Sequence, residues 1–336
     1  MKVKFLFFIS FLMSSAFVLN AQEVQLATLQ QGEDLHVFYG ADALKNALDS
    51  ANSGDLITLS AGTFNGVNIT KAITIQGAGY VTDVATGRYP TAINGNITIN
   101  PQGGEIEGLV IEGIFSYNTI LLGNDNAINA TACTIKKSLL NSFYLNSNAN
   151  SQTKNCLIDQ CRINVLRPDM NSENLDVRNS VIGYIESNNS SATLLIENCV
   201  MTNVAAQTTA VYKNNIIGGV SGYFTVSLQS NSSAYNNVFI NGDANGVVNQ
   251  SGNMTSDENT LFGYAISYDD SKTYELTPSA QATFLGTDGT QVGIYGGETP
   301  FTNVPSNPQI LSKNIATKST PDGKLNVSIK VEAQNQ

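Results

Sequence analysis

Tyr144, Arg167 and Glu186 lie 23 and 19 residues apart, the same intervals that separate successive repeats of the sequence around them. They would therefore stack in one outward position, with Asp169 in the loop just beyond. An aromatic ring beside a cation and two acids suits a sugar, because the ring stacks on the C–H face while charged groups take the hydroxyls. The bland counterpart is a surface salt bridge near a tyrosine. Acid–base chemistry is poorly supplied. The single histidine, His36, precedes the repeats, and Asp269-Asp270 falls in an irregular stretch where an exposed turn is expected. The four cysteines carry no zinc spacing. Cys133 and Cys156 would sit on adjacent rows, close enough to bridge. Cys161 and Cys199, with Ser180 between them, would be two rungs or ~9.6 Å apart, beyond disulfide reach. Small buried thiols are the simpler expectation, and no metal site is predicted.

The element that must position these residues is a repeat. Rows beginning at Leu109, Cys133, Cys156, Leu175, Leu194, Ala210 and Ser232 are spaced by 24, 23, 19, 19, 16 and 22 residues. The third position of each row reads Ile111, Ile135, Ile158, Val177, Ile196, Tyr212 and Ala234, a column that must face a shared interior. Two residues on stand Gly113, Lys137, Gln160, Asn179, Asn198, Asn214 and Asn236. Asparagine tolerates the left-handed backbone of a tight turn, and stacked amides can bond along a stack. A further column, Ser116, Leu140, Ile163, Ile182, Met201, Ile217 and Phe239, is again mostly apolar. The column between core and amide alternates in sign through Glu112, Lys136, Asp159, Arg178, Glu197 and Lys213, ending at Tyr235. Parallel strands ~4.8 Å apart would place opposite charges next to each other, so this column reads as a solvated, self-neutralising face that fixes the register. Short strands and asparagine-rich corners at about 20 residues per unit describe an all-β, single-stranded parallel β-helix, a solenoid. The outward position then reads Ile120, Tyr144, Arg167, Glu186, Ala205, Ser221 and Asp243, and Tyr117, Tyr144, Tyr184 and Tyr223 should share a face if sugars stack there.

The open edge of such a stack calls for a cap. Asp42 is placed to start a short helix near 42–52, with Ala43, Leu44, Ala47, Leu48 and Ala51 on one face and Gly54 stopping it. Residues 1–21 read as a signal peptide: Lys2 and Lys4, an apolar run from Phe5 to Val18, and small residues before Gln22. That run falls short of the ~20 residues a transmembrane helix needs, and no later segment is apolar enough. Export to the periplasm or the cell surface follows as the expectation. Loss of the two lysines takes the formal charge from −10 to −12, and with no basic stripe, nucleic acid is excluded as a partner.

With these residues assembled, a family resemblance emerges. The run ALKNALDSANSGDLITLSAGTF followed by GVNITKAITIQGAG resembles the N-terminal signature of the pectin-lyase-like right-handed β-helix superfamily. FLGTDGTQVGIYGG, Phe284 to Gly297, is similar to the closing segment of many secreted bacterial β-helix proteins. The resemblance spans about Val37 to Pro300 and implies a right-handed solenoid over 22–300 with an N-terminal capping α-helix. Enzymes of this superfamily act mostly on acidic polysaccharides. Its hydrolases need paired aspartates, a histidine and a basic residue that this chain does not place. Its lyases hold Ca²⁺ with several carboxylates while Arg or Lys takes a proton α to a uronate carboxyl, a role for which the resemblance makes Arg167 the one catalytic candidate. Ca²⁺ is thus the one cofactor the resemblance raises, yet too few carboxylates converge near Arg167.

Residues 301–336 follow a proline-rich break and hold one alternating strand, Lys324 to Val331, expected to pack on the outer column of Val110, Leu157, Leu195 and Val211. The expected function is a monomeric exported protein that binds or helps process polysaccharide or a cell-surface glycan. The alternatives are a lyase or hydrolase, and a structural or adhesive solenoid.

Overall fold

A computed structural model describes residues 25–332, apart from 84–87, 124–125, 146–147, 149, 169–170, 187–193, 204–208, 219–227, 245 and 317. The segment read as a signal peptide lies outside the described residues. No helix among them is long and apolar enough to cross a membrane.

Short β-branched segments between asparagine and glycine corners form three parallel-dominated sheets of twelve, ten and three strands. The chain visits them in turn. Strand Glu105–Glu107 of the three-stranded sheet leads to Val110–Glu112 of the twelve-stranded sheet and Phe115–Leu122 of the ten-stranded one, and the next two rows repeat the order. Each row pairs with the next in the predicted register: Lys136 lies opposite both Glu112 and Asp159, Arg178 opposite Asp159 and Glu197, and Lys213 opposite Glu197 and Tyr235. The column from Ile111 to Ala234 is fully buried between the sheets. Each buried isoleucine contributes about 1.5–3 kcal/mol, so repetition of one residue type down a column is what holds the rows together.

The turn column is left-handed throughout, with φ from +42° at Asn179 to +68° at Gly113. Lys137 (+49°) and Gln160 (+52°) share the conformation because the rows above and below impose it. The hydrogen-bonded amide stack, however, lies one residue further on. There Asn215 donates to Asn237 (2.9 Å) and Asn237 to Asn253 (3.0 Å). Ser180 and Asn215 in the same column accept from the backbone N–H of Cys161 and Cys199. Asn179, Asn214 and Asn236 of the turn column itself instead bind a later segment of the same chain. All four cysteines are free thiols.

The first edge is closed by more than a helix. Strands Leu26–Gln31 and Asp34–Tyr39 form an antiparallel hairpin added to Leu56–Leu59, a device not foreseen from sequence. Helix α1 (Ala43–Ser50) buries Ala43, Leu44, Ala47 and Leu48 as expected. Asp42 does not cap it. Its carboxylate accepts from Asn65 instead (2.7 Å). Gly54 lies four residues past the helix end, in the following turn.

A second core lies on the outer face of the ten-stranded sheet. Leu139, Arg162, Val181, Val200, Ile216 and Val238 stand in register there. Residues 258–301 cover them, through α2 (Glu258–Phe262), α3 (Pro278–Thr283) and the side chains of Tyr274, Val292, Ile294 and Phe301. From Leu285 onward the segment runs back along the turn column as a strap. Asn236 donates to the Leu285 carbonyl, Asn214 accepts from the Thr287 N–H, and Asn179 donates to the carbonyls of Ile294 (3.0 Å) and Gly296 (2.8 Å). Gln160 donates to those of Thr299 and Pro300, and Asn307 reaches the Gly77 carbonyl. Gly297 must be glycine: its φ is +77°, and a Cβ would lie 2.4 Å from the Asn198 amide nitrogen.

Two expectations are corrected here. The strand near 324–331 does not pack on Val110, Leu157, Leu195 and Val211. Val327–Glu332 pairs antiparallel with Gln309–Ile315, its Val327, Ile329 and Val331 are exposed, and Val211 stays 36% exposed. The reason is that the preceding strap, not the tail, finds the apolar outer column, and it finds it on the other sheet. The charge column is likewise not uniformly solvated. Glu112 is only 1% exposed, because Ser306 of the strap covers it and donates its N–H to the carboxylate (2.7 Å). Lys136 pairs with Glu112 (3.1 Å) and Lys213 with Glu197 (2.6 Å), but Arg178 turns to Asp176 on its own strand. One Asp159 oxygen is therefore buried without a hydrogen-bond partner.

Candidate functional site

The outer face of the ten-stranded sheet brings Tyr144, Arg167 and Glu186 together. Tyr144 ends strand Leu139–Tyr144 and pairs with Arg167, the last residue of Arg162–Arg167. Glu186 follows Val181–Ile185, its N–H bonded to the Leu166 carbonyl (2.8 Å). The Arg167 guanidinium lies over the Tyr144 ring, 4.3 Å from its centroid, and its Nε donates to Glu186 (3.1 Å) while a terminal nitrogen contacts the same oxygen. Ring and carboxylate hold the cation between them. Both charged groups remain about a third exposed, so a ligand can reach them.

Other expected members fare differently. Ile120 is not in this column. It is buried in the main core, and Leu121 stands opposite Tyr144. Tyr117 and Asn118 together oppose Asn141, a bulge that shifts the row by one residue. Asp169, Ala205, Ser221 and Tyr223 lie outside the described residues. Asp243 lies past the end of strand Val238–Ile240. Tyr184 sits opposite Val165, two residues back from Arg167 on the same face, and Tyr117 is exposed on the bulge. His36 is on the first edge strand, opposite Leu29. Among the described residues no group of three or more His, Cys, Asp or Glu side chains could hold a metal ion.

No family model matches the sequence, and no curated protein matches it. The site must therefore be read from its own geometry.

Sequence reasoning missed two features of this face, both built by the C-terminal segment. Arg162, buried in the second core, donates to the Lys272 carbonyl (2.9 Å) and faces the rings of Tyr274 and Phe301 at 5.5 and 5.2 Å. Beside it opens a cleft of about 280 Å³ between the strands and Tyr268-Asp269-Asp270. Asp269 is a turn residue as expected. It accepts from Ser271, and those hydrogen bonds hold its carboxyl below the usual range. Asp270, the next residue of that turn and exposed as expected, lines the cleft. The only signal in the sequence was the density of tyrosines in an otherwise irregular stretch, Tyr264, Tyr268 and Tyr274.

Proposed function

We propose that this chain is an exported right-handed parallel β-helix protein of pectin-lyase-like architecture that binds polysaccharide. The ligand face is the outer surface of the ten-stranded sheet around Tyr144, Arg167 and Glu186, without a complete catalytic set. The handedness follows from the near-universal right-handed crossover between parallel strands of one sheet. Supporting the binding reading above all is the guanidinium held over Tyr144 and paired with Glu186 across three successive rows. An aromatic ring beside fixed polar groups is what a sugar chain needs. The test is retention on immobilised polysaccharides, with Ca²⁺ and without, of the natural chain and of Arg167→Ala and Tyr144→Ala. Binding weakened about tenfold by either change is expected, about 1.4 kcal/mol. Release of unsaturated uronate products, followed by absorbance and lost in Arg167→Ala, would replace this reading with a lyase.

A further inference from the structure

Three strands of the proposed ligand face each give a residue to the cleft at the C-terminal segment. Tyr117 comes from Phe115–Leu122, Asn141 from Leu139–Tyr144 and Asn164 from Arg162–Arg167. Asn141 and Asn164 each lie three residues before a member of the Tyr144–Arg167 pair. At about 3.3 Å per residue the two places are roughly 10 Å apart along the strands, the reach of a short oligosaccharide. From the other side the segment supplies Tyr268 and the exposed Asp270.

The chemistry of this cleft is uneven in a telling way. Tyr117 is 52% exposed beside Phe115, with ring centroids 4.2 Å apart and planes tilted by 46°. An aromatic face left in water at a cleft wall is a stacking platform. Asn164 donates to Asn141 (3.3 Å), and the two amides otherwise find no hydrogen-bond partner among the described residues. The Tyr268 hydroxyl is buried beside the Asp270 carboxylate. Burial first, and then the neighbouring Asp270 charge, push its pKa upward, so it stays a protonated donor. Paired donors and acceptors of this kind match the hydroxyls of a pyranose or furanose ring. No cationic side chain lines the cleft, and its one charge is the Asp270 carboxylate. The cations nearest the cleft are turned away from it: Arg162 is buried and donates to the Lys272 carbonyl, and the Lys272 ammonium binds the Ala265 carbonyl and Ser267. A uronate, sulfate or phosphate would meet the Asp270 carboxylate with no cation among the lining residues to offset it.

We infer that the cleft of Tyr117, Asn141, Asn164, Tyr268 and Asp270 is a second sugar subsite, and that the ligand is a neutral glycan and not an acidic one. The inference rests on the glycan-binding reading of this face and adds to it both a subsite and a ligand class. The test uses the full chain in affinity electrophoresis against β-glucan and galactomannan as neutral polymers and polygalacturonate and alginate as acidic ones. Retention by a neutral polymer and not by the acidic pair is expected, with Tyr117→Ala and Asp270→Ala each weakening it about tenfold. Both side chains are exposed, so an unchanged melting temperature separates lost binding from lost folding. Retention by polygalacturonate or alginate alone overturns the ligand class. Neutral binding that survives Tyr117→Ala and Asp270→Ala but is lost in Arg167→Ala overturns the subsite while sparing the wider reading. Binding to no polymer removes both.

Discussion

The two long sheets each present an apolar column outward, and the columns have opposite fates. On the twelve-stranded sheet Val110, Leu157, Leu195 and Val211 stay partly open, in a column interrupted by Thr134 and Asp176. On the ten-stranded sheet Leu139, Val181, Val200, Ile216 and Val238 disappear under residues 258–301. The difference lies in what flanks each column. Charges beside the first keep it wet, whereas the second adjoins left-handed turns whose outward amides offer a row of hydrogen bonds to any chain laid along them. Apolar cover and amide anchoring act together on one side only. The same side gains the cleft, so the segment that closes a hydrophobic surface also builds a polar one.

The sharpest way to break this contrast is to place a charge in each column. Ile216→Asp should cost about 4 kcal/mol, because an unpaired carboxylate would be buried beneath Val292 and Ile294. Val211→Asp should cost under about 1 kcal/mol at its exposed position. Urea denaturation of the two variants makes the comparison, and equal losses would refute the asymmetry. A smaller effect is expected at adjacent residues of one row. Asn179→Ala loses two strap hydrogen bonds and places alanine at φ +42°, for about 2–3 kcal/mol, while the neighbouring Arg178→Ala should cost under about 0.5 kcal/mol. Similar melting temperatures for these two would show that the strap does not depend on the turn amides.

The smallest effect falls between the two regions and depends on pH. Burial raises the Asp159 carboxyl from 3.8 to about 6, with Lys137 and Arg178 opposing it only in part. The native chain therefore binds that proton more tightly than the unfolded chain. Its contribution is fully present below about pH 3.8 and is lost as pH rises through about 6. Glu112 runs the other way. Burial pushes it up, but hydrogen bonds from Ser306 and the charge of Lys136 outweigh burial, so its stabilisation is lost as pH falls through a lowered pKa. Asp159→Asn should gain about 1–2 kcal/mol at neutral pH, a gain that vanishes toward pH 4. Thermal melts across that range check it, and parallel curves for variant and natural chain would count against a strained Asp159.

What the sequence revealed tracks what repeats. The register of seven rows, the left-handed turns and the Tyr144–Arg167–Glu186 group were all legible, because each is a column sampled many times at a row's spacing. Ile120 was misplaced by the bulge at Tyr117, a single insertion that no column average registers. The strap left almost no trace. Its bonds join turn amides to main-chain groups 49 to 140 residues away in sequence, as from Asn236 to Leu285 and from Gln160 to Pro300, and a main-chain partner has no residue type. Asp42 looked like a helix cap by identity, yet the nearby Asn65 amide took its carboxylate. Local preference gave way to a partner brought in by the next strands.

A stack in which every row touches only its neighbours melts from its ends, one unit at a time. The chain between Leu285 and Asn307 removes that freedom by touching Asn236 near one end and Gly77 near the other. Fraying of either terminus must tear a tie that also belongs to the middle, so heat should disassemble the molecule in one cooperative transition, with calorimetric and van't Hoff enthalpies in agreement.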